Sequence, residues 1–342
     1  MLRRVKIDWA DLPDPRNLEA PYPPPERLHP GLNEINAETF PAFLDEIGLV
    51  GMGGSGFPTA AKISAALGAH TLVVNGVECE PGITIDQAVL LNHAKWVVAG
   101  AHASAKAVGA THLILAVKND PDLISELRAR YPDFEIATFS KKYPAGAEKL
   151  ILKKLTGKTP PPGARPHQFG YLVQNVVSLR AIGRALIDGV PVIERPLTLA
   201  MPSTGFYKNI IVPVGVPIRE LIQRHELPYD PAMHVISDSG LMMGHEAERD
   251  ALVEKTTLSI LVLRRDAVWR DERPCVRCGA CDAACPLGLN PFTLAERVRK
   301  GKTNSAAFQG QMTDCFLCGV CSAVCPSDIP LVQTLEKGKT CL

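Results

Sequence analysis

The chain has 342 residues, with 37 basic and 36 acidic side chains and 6% aromatic residues. A chain of this length is expected to form two or three domains, because single cores seldom grow beyond about 250 to 300 residues. The near-neutral charge and the scarcity of aromatic side chains argue against a nucleic-acid-binding protein.

The apolar stretches of the sequence are short. Thr257–Leu263 is among the longest, and it is far too short to span a bilayer. The N-terminus shows no secretory signal pattern. We therefore expect a cytoplasmic protein whose association with a membrane, if it has one, is peripheral.

Residues 1–45 are a proline-rich extension that includes Pro13, Pro15, Pro21 and the run Pro23–Pro25. Proline fixes its own backbone and lacks an N–H donor, so such a segment rarely forms a core element. We expect it to run over the surface.

Helical and strand periodicities alternate from about Phe40 to about Asp188. Helices are predicted at Phe40–Ile47, Pro58–Leu67, Asp86–Val108, Pro121–Arg130, Gly146–Leu155 and Val177–Ile187. Strands are predicted at His70–Val74, His112–Val117, Phe134–Phe139 and Tyr171–Val173. This alternation predicts an α/β domain over residues 46–190 with a largely parallel sheet.

A glycine-rich stretch, G-M-G-G-S-G-F-P-T, occupies residues 51–59 and contains the pattern G-x-G-x-x-G. Glycines let backbone N–H groups approach a phosphate, and Pro58 is a typical first residue of a helix whose N-terminus favours anions. Lys62 adds a cation one turn later. The segment before the loop looks helical, although a dinucleotide fingerprint should follow a strand. Taken alone, the loop is equally compatible with a plain turn.

Three further segments of this domain combine turn residues with polar groups. They are Asn75–Gly82 (N-G-V-E-C-E-P-G, followed by Asp86), Lys142–Lys149 (K-Y-P-A-G-A-E-K) and Val173–Val176 (V-Q-N-V). Without further context, Glu78 and Glu80 are compatible with turn caps, and Cys79 is best explained as a packed thiol.

Residues 191–264 predict a mixed compact unit of short strands and turns around one helix, Ile218–His225. Within this unit, Gly240–Gly244 reads G-L-M-M-G. A packed methionine pair is the simplest interpretation of that motif.

Residues 265–342 contain eight of the ten cysteines, arranged as two copies of C-x2-C-x2-C-x3-C-P. The first quartet is Cys275, Cys278, Cys281 and Cys285, and the second is Cys315, Cys318, Cys321 and Cys325. This is the spacing of bacterial ferredoxins that hold two 4Fe-4S clusters. It predicts a small, α-helical, ferredoxin-like domain.

In such ferredoxins the first three cysteines of a quartet bind one cluster and the fourth, expected to open a helix, binds the other. The first cluster is therefore expected on Cys275, Cys278, Cys281 and Cys325. The second cluster is expected on Cys315, Cys318, Cys321 and Cys285. A pair of zinc sites is the main alternative, but these usually show separated C-x2-C pairs with histidine.

The glycine loop, the three polar segments and the cysteine quartets occur together in a specific order. In this combination the chain resembles the C subunit family of the Rnf electron transport complex, relatives of which include the cobalamin reductase of propanediol-utilising microcompartments. It is also similar to the FMN-bearing, NADH-oxidising subunit of respiratory complex I. The resemblance covers about residues 46–335. Members of the Rnf family usually begin with a barrel-sandwich domain, where this sequence has its proline-rich residues, so docking on the usual membrane partners stays open.

The resemblance implies a complex I-like α/β domain that binds FMN noncovalently, with NADH stacked on the flavin. It also implies a β-grasp module of the soluble-ligand-binding type in residues 191–264. Glu78 and Glu80 are the implied catalytic residues. The implied cofactor-binding residues are Gly51, Gly53, Gly54, Gly56, Lys62, Asn75, Glu78, Glu80, Gly146, Glu148 and Lys149.

The function that the resemblance implies is that of an NADH-dependent oxidoreductase within a translocase. Electrons would pass from NADH through FMN and two 4Fe-4S clusters to other electron-transport subunits, on the cytoplasmic face of the inner membrane. Two alternatives stay open: a corrinoid reductase that delivers electrons to cob(II)alamin, and a non-catalytic electron wire that is filled by another protein.

Overall fold

The computed structural model describes residues 12–23, 34–268 and 271–340. In these residues the chain forms two separate β-sheets with flanking helices, followed by a cysteine-rich helical unit. No described helix has both the length and the apolar character needed to cross a membrane.

The first sheet has four strands, and all of its pairings are parallel. The strands are β1 (Thr71–Gly76), β2 (His112–Lys118), β3 (Glu135–Phe139) and β4 (Tyr171–Asn175), in the order β3-β2-β1-β4. Their runs of Val, Ile and Leu are largely buried, as expected for a parallel sheet that is covered on both faces. The predicted parallel α/β layer is confirmed.

Seven α-helices of the described residues accompany this sheet. They are α1 (Thr39–Glu46), α2 (Thr59–Ala65), α3 (Ile85–Asn92), α4 (Ala94–Val108), α5 (Pro121–Arg130), α6 (Glu148–Thr156) and α7 (Val176–Asp188). The single helix expected over Asp86–Val108 is two helices that meet at His93. The His93 ring accepts a hydrogen bond from Arg180 Nε at 2.8 Å, and Asn92 bonds back to the Ala88 carbonyl. These contacts break the helix without any glycine or proline signal.

The order of the strands locates a crevice. From β1 the chain crosses over to β2 on one side, whereas β4 adds to the other side of β1. In open α/β sheets, ligands bind outside the carboxyl ends of strands at such a switch point. Here the switch point lies between the ends of β1 and β4, at Gly76 and Asn175. Asn175 also caps α7, because its side chain accepts the Val177 N–H.

The second sheet is mixed and has the strand order β6-β5-β9-β7-β8. Its elements are β5 (Glu194–Met201), β6 (Phe206–Pro213), α8 (Ile218–Arg224), β7 (His234–Asp238), β8 (His245–Ala247) and β9 (Ser259–Arg264). The central pair, β5 and β9, is parallel, and the other pairings are antiparallel. Helix α8 buries Ile218, Leu221 and Ile222 against the apolar side chains of the sheet.

The described part of the N-terminal extension, residues 12–23, is attached to the second sheet. Glu19 lies beside β6 and pairs with Ile210 of that strand. The Glu19 N–H donates to the Asn209 carbonyl at 3.0 Å. Pro13 is buried. The segment follows the surface, as expected, but it contributes to the packing. Pro15, Pro21 and Pro23 lie within residues 12–23 as well, whereas Pro24, Pro25 and Pro30 lie outside the described residues.

The cysteine-rich unit is helical. The short helix α9 (Arg265–Val268) still packs on the second sheet, where Val268 is buried. The helices of the cysteine-rich unit are α10 (Ala280–Ala284), α11 (Pro291–Arg299), α12 (Ala306–Asp314), α13 (Val320–Ala323) and α14 (Leu331–Lys339). Leu294, Phe308, Met312 and Leu335 form its small core. The expectation that the fourth cysteine opens a helix is wrong. Cys285 and Cys325 instead follow the short helices α10 and α13, and the proline after each one prevents the helix from continuing.

Candidate functional site

One wall of the crevice between β1 and β4 consists of two segments that pack against each other: the end of β1 and residues 142–149. The Asn75 side chain donates to the Gly146 carbonyl at 3.0 Å and accepts the Val77 N–H at 3.1 Å. A Cβ at Gly146 would lie only 2.2 Å from the Val77 carbonyl oxygen. Only glycine therefore permits the segment Lys142–Lys149 to approach the end of β1 so closely. We call this segment the second flavin loop, after the family's loop that it resembles.

The glycine loop, Gly51–Pro58, forms the opposite wall. Its ends are joined by hydrogen bonds from the Gly51 N–H to the Phe57 carbonyl and from the Gly56 N–H to the Gly51 carbonyl. A Cβ at Gly53 would lie 2.9 Å from Cβ of Asn175, so the loop packs directly on the end of β4. In the described structure, the N–H groups of Gly53, Gly54 and Ser55 have no hydrogen-bond acceptor. Consecutive free N–H groups fit the phosphate of a flavin nucleotide.

Lys62 and Glu148, both expected at the cofactor, form an ion pair with each other. Lys62 lies on α2, behind the glycine loop, and Glu148 is the first residue of α6, at the end of the second flavin loop. Both side chains are partly exposed. The pair therefore links the two walls of the crevice.

Glu78 lies buried just after β1. Its carboxylate accepts the N–H groups of Asp86 at 2.9 Å and Gln87 at 3.4 Å, at the start of α3. Burial is the main cause that raises the pKa of Glu78. Glu78 is not a simple turn cap, because its hydrogen bonds join the end of β1 to the start of α3 beneath the crevice.

Asp86 is a site residue to which the sequence assigned no role. Its Oδ2 accepts the Asn175 amide at 2.9 Å, while its Oδ1 is buried and has no hydrogen-bond partner among the described residues. Burial, followed by the charge of Glu78, raises the pKa of Asp86 well above its usual range. The negative charge of one acid therefore disfavours ionisation of the other. The only sequence signal was that Asp86 follows the carboxylate-rich segment closely.

Glu80 faces the G-L-M-M-G motif, Gly240–Gly244, which we call the Met loop. Its carboxylate accepts the Met242 N–H at 2.5 Å and also interacts with the N–H groups of Leu241 and Met243. A Cβ at Gly240 would lie 2.5 Å from the Glu80 side chain. The motif therefore encloses a carboxylate with backbone amides. The expected packed methionine pair is wrong, because Met243 is 56% exposed.

Burial raises the pKa of Glu80 to about 7, against an ordinary value of 4.5. Glu80 therefore costs no folding stability at low pH. The free energy of unfolding falls as the pH rises from about 4.5 through 7. We expect Glu80→Gln, which stays neutral, to be more stable than the wild type above about pH 7, by roughly 2 to 3 kcal/mol.

Urea unfolding at a series of pH values measures this difference. The gain in the free energy of unfolding should vanish well below about pH 4.5, where Glu80 is protonated in both the folded and the unfolded chain. A gain that is the same at every pH would show that Glu80 does not titrate in this range.

The eight cysteines of the quartets divide into two groups of four, each lining one cavity. Cys275, Cys278, Cys281 and Cys325 line a cavity of about 320 Å³. Cys285, Cys315, Cys318 and Cys321 line a narrow cavity of about 30 Å³. This is the grouping that the interleaved pattern predicts, although the ligation itself stays a prediction. A donor set made only of thiols suits iron–sulfur clusters.

In the described residues, no three His, Cys, Asp or Glu side chains converge closely enough to hold a single metal ion. Burial raises the pKa of Cys318 to about 11 and that of Cys321 to about 12. These thiols therefore carry protons until a metal replaces them.

The second quartet touches the second flavin loop. The Tyr143 hydroxyl donates to the Cys318 carbonyl at 2.8 Å. Lys149, expected at the cofactor, instead forms an ion pair with Asp314, the residue before Cys315. Neither contact has a signal in the sequence, since each joins residues that are far apart along the chain.

Comparisons with known proteins agree with this architecture. Residues 44–184 match the family model of the Nuo51 FMN-binding domain, and residues 274–329 match that of the 4Fe-4S dicluster domain. The NAD+-reducing [NiFe]-hydrogenase in its air-oxidized state shares the fold over 82% of this chain and 55% of its own, at 21% identity and a TM-score of 0.55.

Among curated proteins, the C subunit of the ion-translocating oxidoreductase complex of Edwardsiella ictaluri is 37% identical over 322 residues, which is 91% of this chain and 40% of that protein. The corresponding protein of Erwinia tasmaniensis, which has the same name, is 37% identical over 87% of this chain and 38% of its own length. The chain thus spans about two fifths of these relatives. Over this region, with its FMN-binding and dicluster domains, the chain belongs to the C subunit family of ion-translocating oxidoreductase (Rnf) complexes.

Proposed function

We propose that the chain is a flavo-iron–sulfur electron-transfer subunit that oxidises NADH. It takes a hydride from NADH on FMN at the crevice and passes electrons one at a time through two 4Fe-4S clusters to a partner protein. One observation carries this proposal. The loop beside the flavin crevice touches the second cysteine quartet, through Tyr143 and Cys318.

Bound FMN would supply the conversion between two-electron and one-electron steps. The chain's own residues would hold it. The free N–H groups at Gly53, Gly54 and Ser55 would bind the phosphate, with Lys62 nearby, and Asn75 would fix the second flavin loop.

The buried acids beneath the crevice have a different task. Glu78 and Asp86 would hold one proton between their carboxylates, close to where a hydride and protons are exchanged. Glu80, held by the Met loop, would present a group that titrates near neutral pH on the side of the crevice that faces the second quartet.

The domain limits proposed are residues 46–190 for flavin and NADH binding, 191–264 for a β-grasp module and 265–342 for the two clusters. A hairpin followed by a helix, with its first and last strands parallel at the centre of the sheet, supports the β-grasp assignment. The partners proposed are further electron-transport subunits of an ion-translocating complex, as the names of the relatives suggest.

Anaerobic purification followed by titration with NADH and with NADPH tests the proposal. We expect close to one FMN and about eight iron atoms per chain, and NADH should bleach the flavin before the clusters are reduced. Protein that is fully loaded with iron but contains no flavin, and takes none up, would instead be the electron wire.

A further inference from the structure

The two cysteine quartets are placed differently with respect to the flavin crevice. The second quartet lies against the flavin side through three contacts. Tyr143 donates to the Cys318 carbonyl, Lys149 pairs with Asp314, and Gly319 is so close to the Met loop that a Cβ there would lie 2.5 Å from the Met242 carbonyl oxygen. The second quartet therefore forms part of the same packed region as Glu80.

The first quartet has the opposite surroundings. Val276 is 67% exposed, and the Cys278 thiol beside it is exposed as well. The loop of the first quartet packs on residues of its own unit, such as Pro326 and Ser327. A cluster on these cysteines would face the surface of the protein.

The ion pair between Lys149 and Asp314 is a charged contact between the second flavin loop and the cysteine-rich unit. Only 14% of the Lys149 side chain and 13% of the Asp314 side chain are exposed. The Lys149 ammonium contacts Oδ1, the buried oxygen of the Asp314 carboxylate, and so compensates its charge. Removing one partner of a buried pair leaves the other charge uncompensated, which favours separation of the two surfaces.

We propose that Lys149 and Asp314, assisted by Tyr143, latch the second quartet onto the second flavin loop and thereby make the second cluster the direct acceptor from the flavin. The first cluster then receives electrons from the second and delivers them at the surface. This order rests on the proposed function. Lys149 and Asp314 are positioning residues, since they hold the two cofactor sites in contact.

The electrons balance in this order. NADH gives up a hydride and becomes NAD+, which places two electrons and one proton on the flavin site. Each oxidised cluster accepts one electron, so both clusters are reduced once per NADH and one proton is released. The first electron must move on to the first cluster before the second cluster can accept another.

Charge reversal at Asp314 tests the latch. In fully loaded protein, Asp314→Lys places two lysines in contact, and NADH-driven cluster reduction followed by stopped-flow spectroscopy should slow at least about tenfold, as loss of a partly buried ion pair implies. The double variant Lys149→Asp with Asp314→Lys restores opposite charges and should recover most of the rate. Glu336→Lys is the matched control, because it makes the same charge change on an exposed residue of α14.

A second readout does not depend on NADH. Hydrogen exchange of the peptides that cover residues 142–149 and 313–320 should rise in Asp314→Lys, return toward the wild type in the charge swap and stay unchanged in Glu336→Lys. Iron content and the spectrum after dithionite reduction show whether the second cluster has assembled. Normal exchange and a normal reduction rate in an assembled Asp314→Lys protein would overturn the latch.

Loss of single clusters tests the order. In Cys278→Ser, NADH should still reduce the remaining second cluster, whereas in Cys285→Ser the remaining first cluster should stay oxidised. The reverse pattern would refute the order. If NADH fails to reduce even the flavin of the wild type, the proposed function fails, while the exchange measurements still decide whether the latch exists.

Discussion

Replacing Cys285 with serine is expected to lower the iron of reconstituted protein from about eight to about four atoms per chain and to remove the second cluster. Cys285 belongs to the first quartet in sequence, but it lines the same cavity as Cys315, Cys318 and Cys321. Burial is the main cause of the raised pKa of each of these three thiols, and the nearby Cys285 thiol adds to it. The effect should therefore appear at the other quartet, and electron paramagnetic resonance of the reduced protein should retain the first cluster.

Cys79→Ser is the matched control for this substitution. Cys79 is a partly buried thiol that accepts the Gly146 N–H at 3.3 Å and lines neither cysteine cavity. Its replacement should leave the iron content near eight atoms. Cys325→Ser is the mirror image and should remove the first cluster. If Cys285→Ser removed the first cluster, each quartet would bind its own cluster and the interleaved arrangement would be wrong.

The parts of the fold that follow from local pattern could be predicted from the sequence. Runs such as Thr71–Gly76 and His112–Lys118 are short, apolar and separated by helical periodicity, which defines a parallel sheet. The spacing of the cysteines likewise reflects local geometry, because three thiols on one tight loop must face one cluster. In both cases neighbouring residues carry the information.

What the sequence did not predict depends on contacts between distant residues. The break at His93 is held by Arg180, and the partner of Lys149 is Asp314, more than 150 residues away along the chain. The Met loop was interpreted as packed methionines because its composition does not show that its amides enclose Glu80. Such pairings follow from the tertiary fold, and they concentrate at the crevice and at its contact with the cysteine-rich unit.

Gly146→Ala is expected to weaken FMN binding at least about tenfold, because one added methyl group in a closely packed place costs roughly 1 to 3 kcal/mol. The new Cβ would lie 2.2 Å from the Val77 carbonyl oxygen, a backbone atom that cannot turn aside as a side chain can. The second flavin loop must then move away from β1, which breaks the hydrogen bond between Asn75 and the Gly146 carbonyl. The backbone conformation of Gly146 itself does not require glycine, since its φ is not positive.

The measurement is the FMN released on denaturation, together with a titration of flavin-depleted protein with FMN. The same preparations are assayed for iron, which should stay near eight atoms per chain because neither Val77 nor Gly146 lines a cysteine cavity. Gly310→Ala is the control, since Gly310 lies within α12 and a Cβ there meets nothing within 4 Å. It should leave flavin binding unchanged and stabilise its helix by about 0.5 to 1 kcal/mol. Full FMN affinity in Gly146→Ala would mean that the flavin does not depend on the second flavin loop, and the crevice between β1 and β4 would then be the wrong place for it.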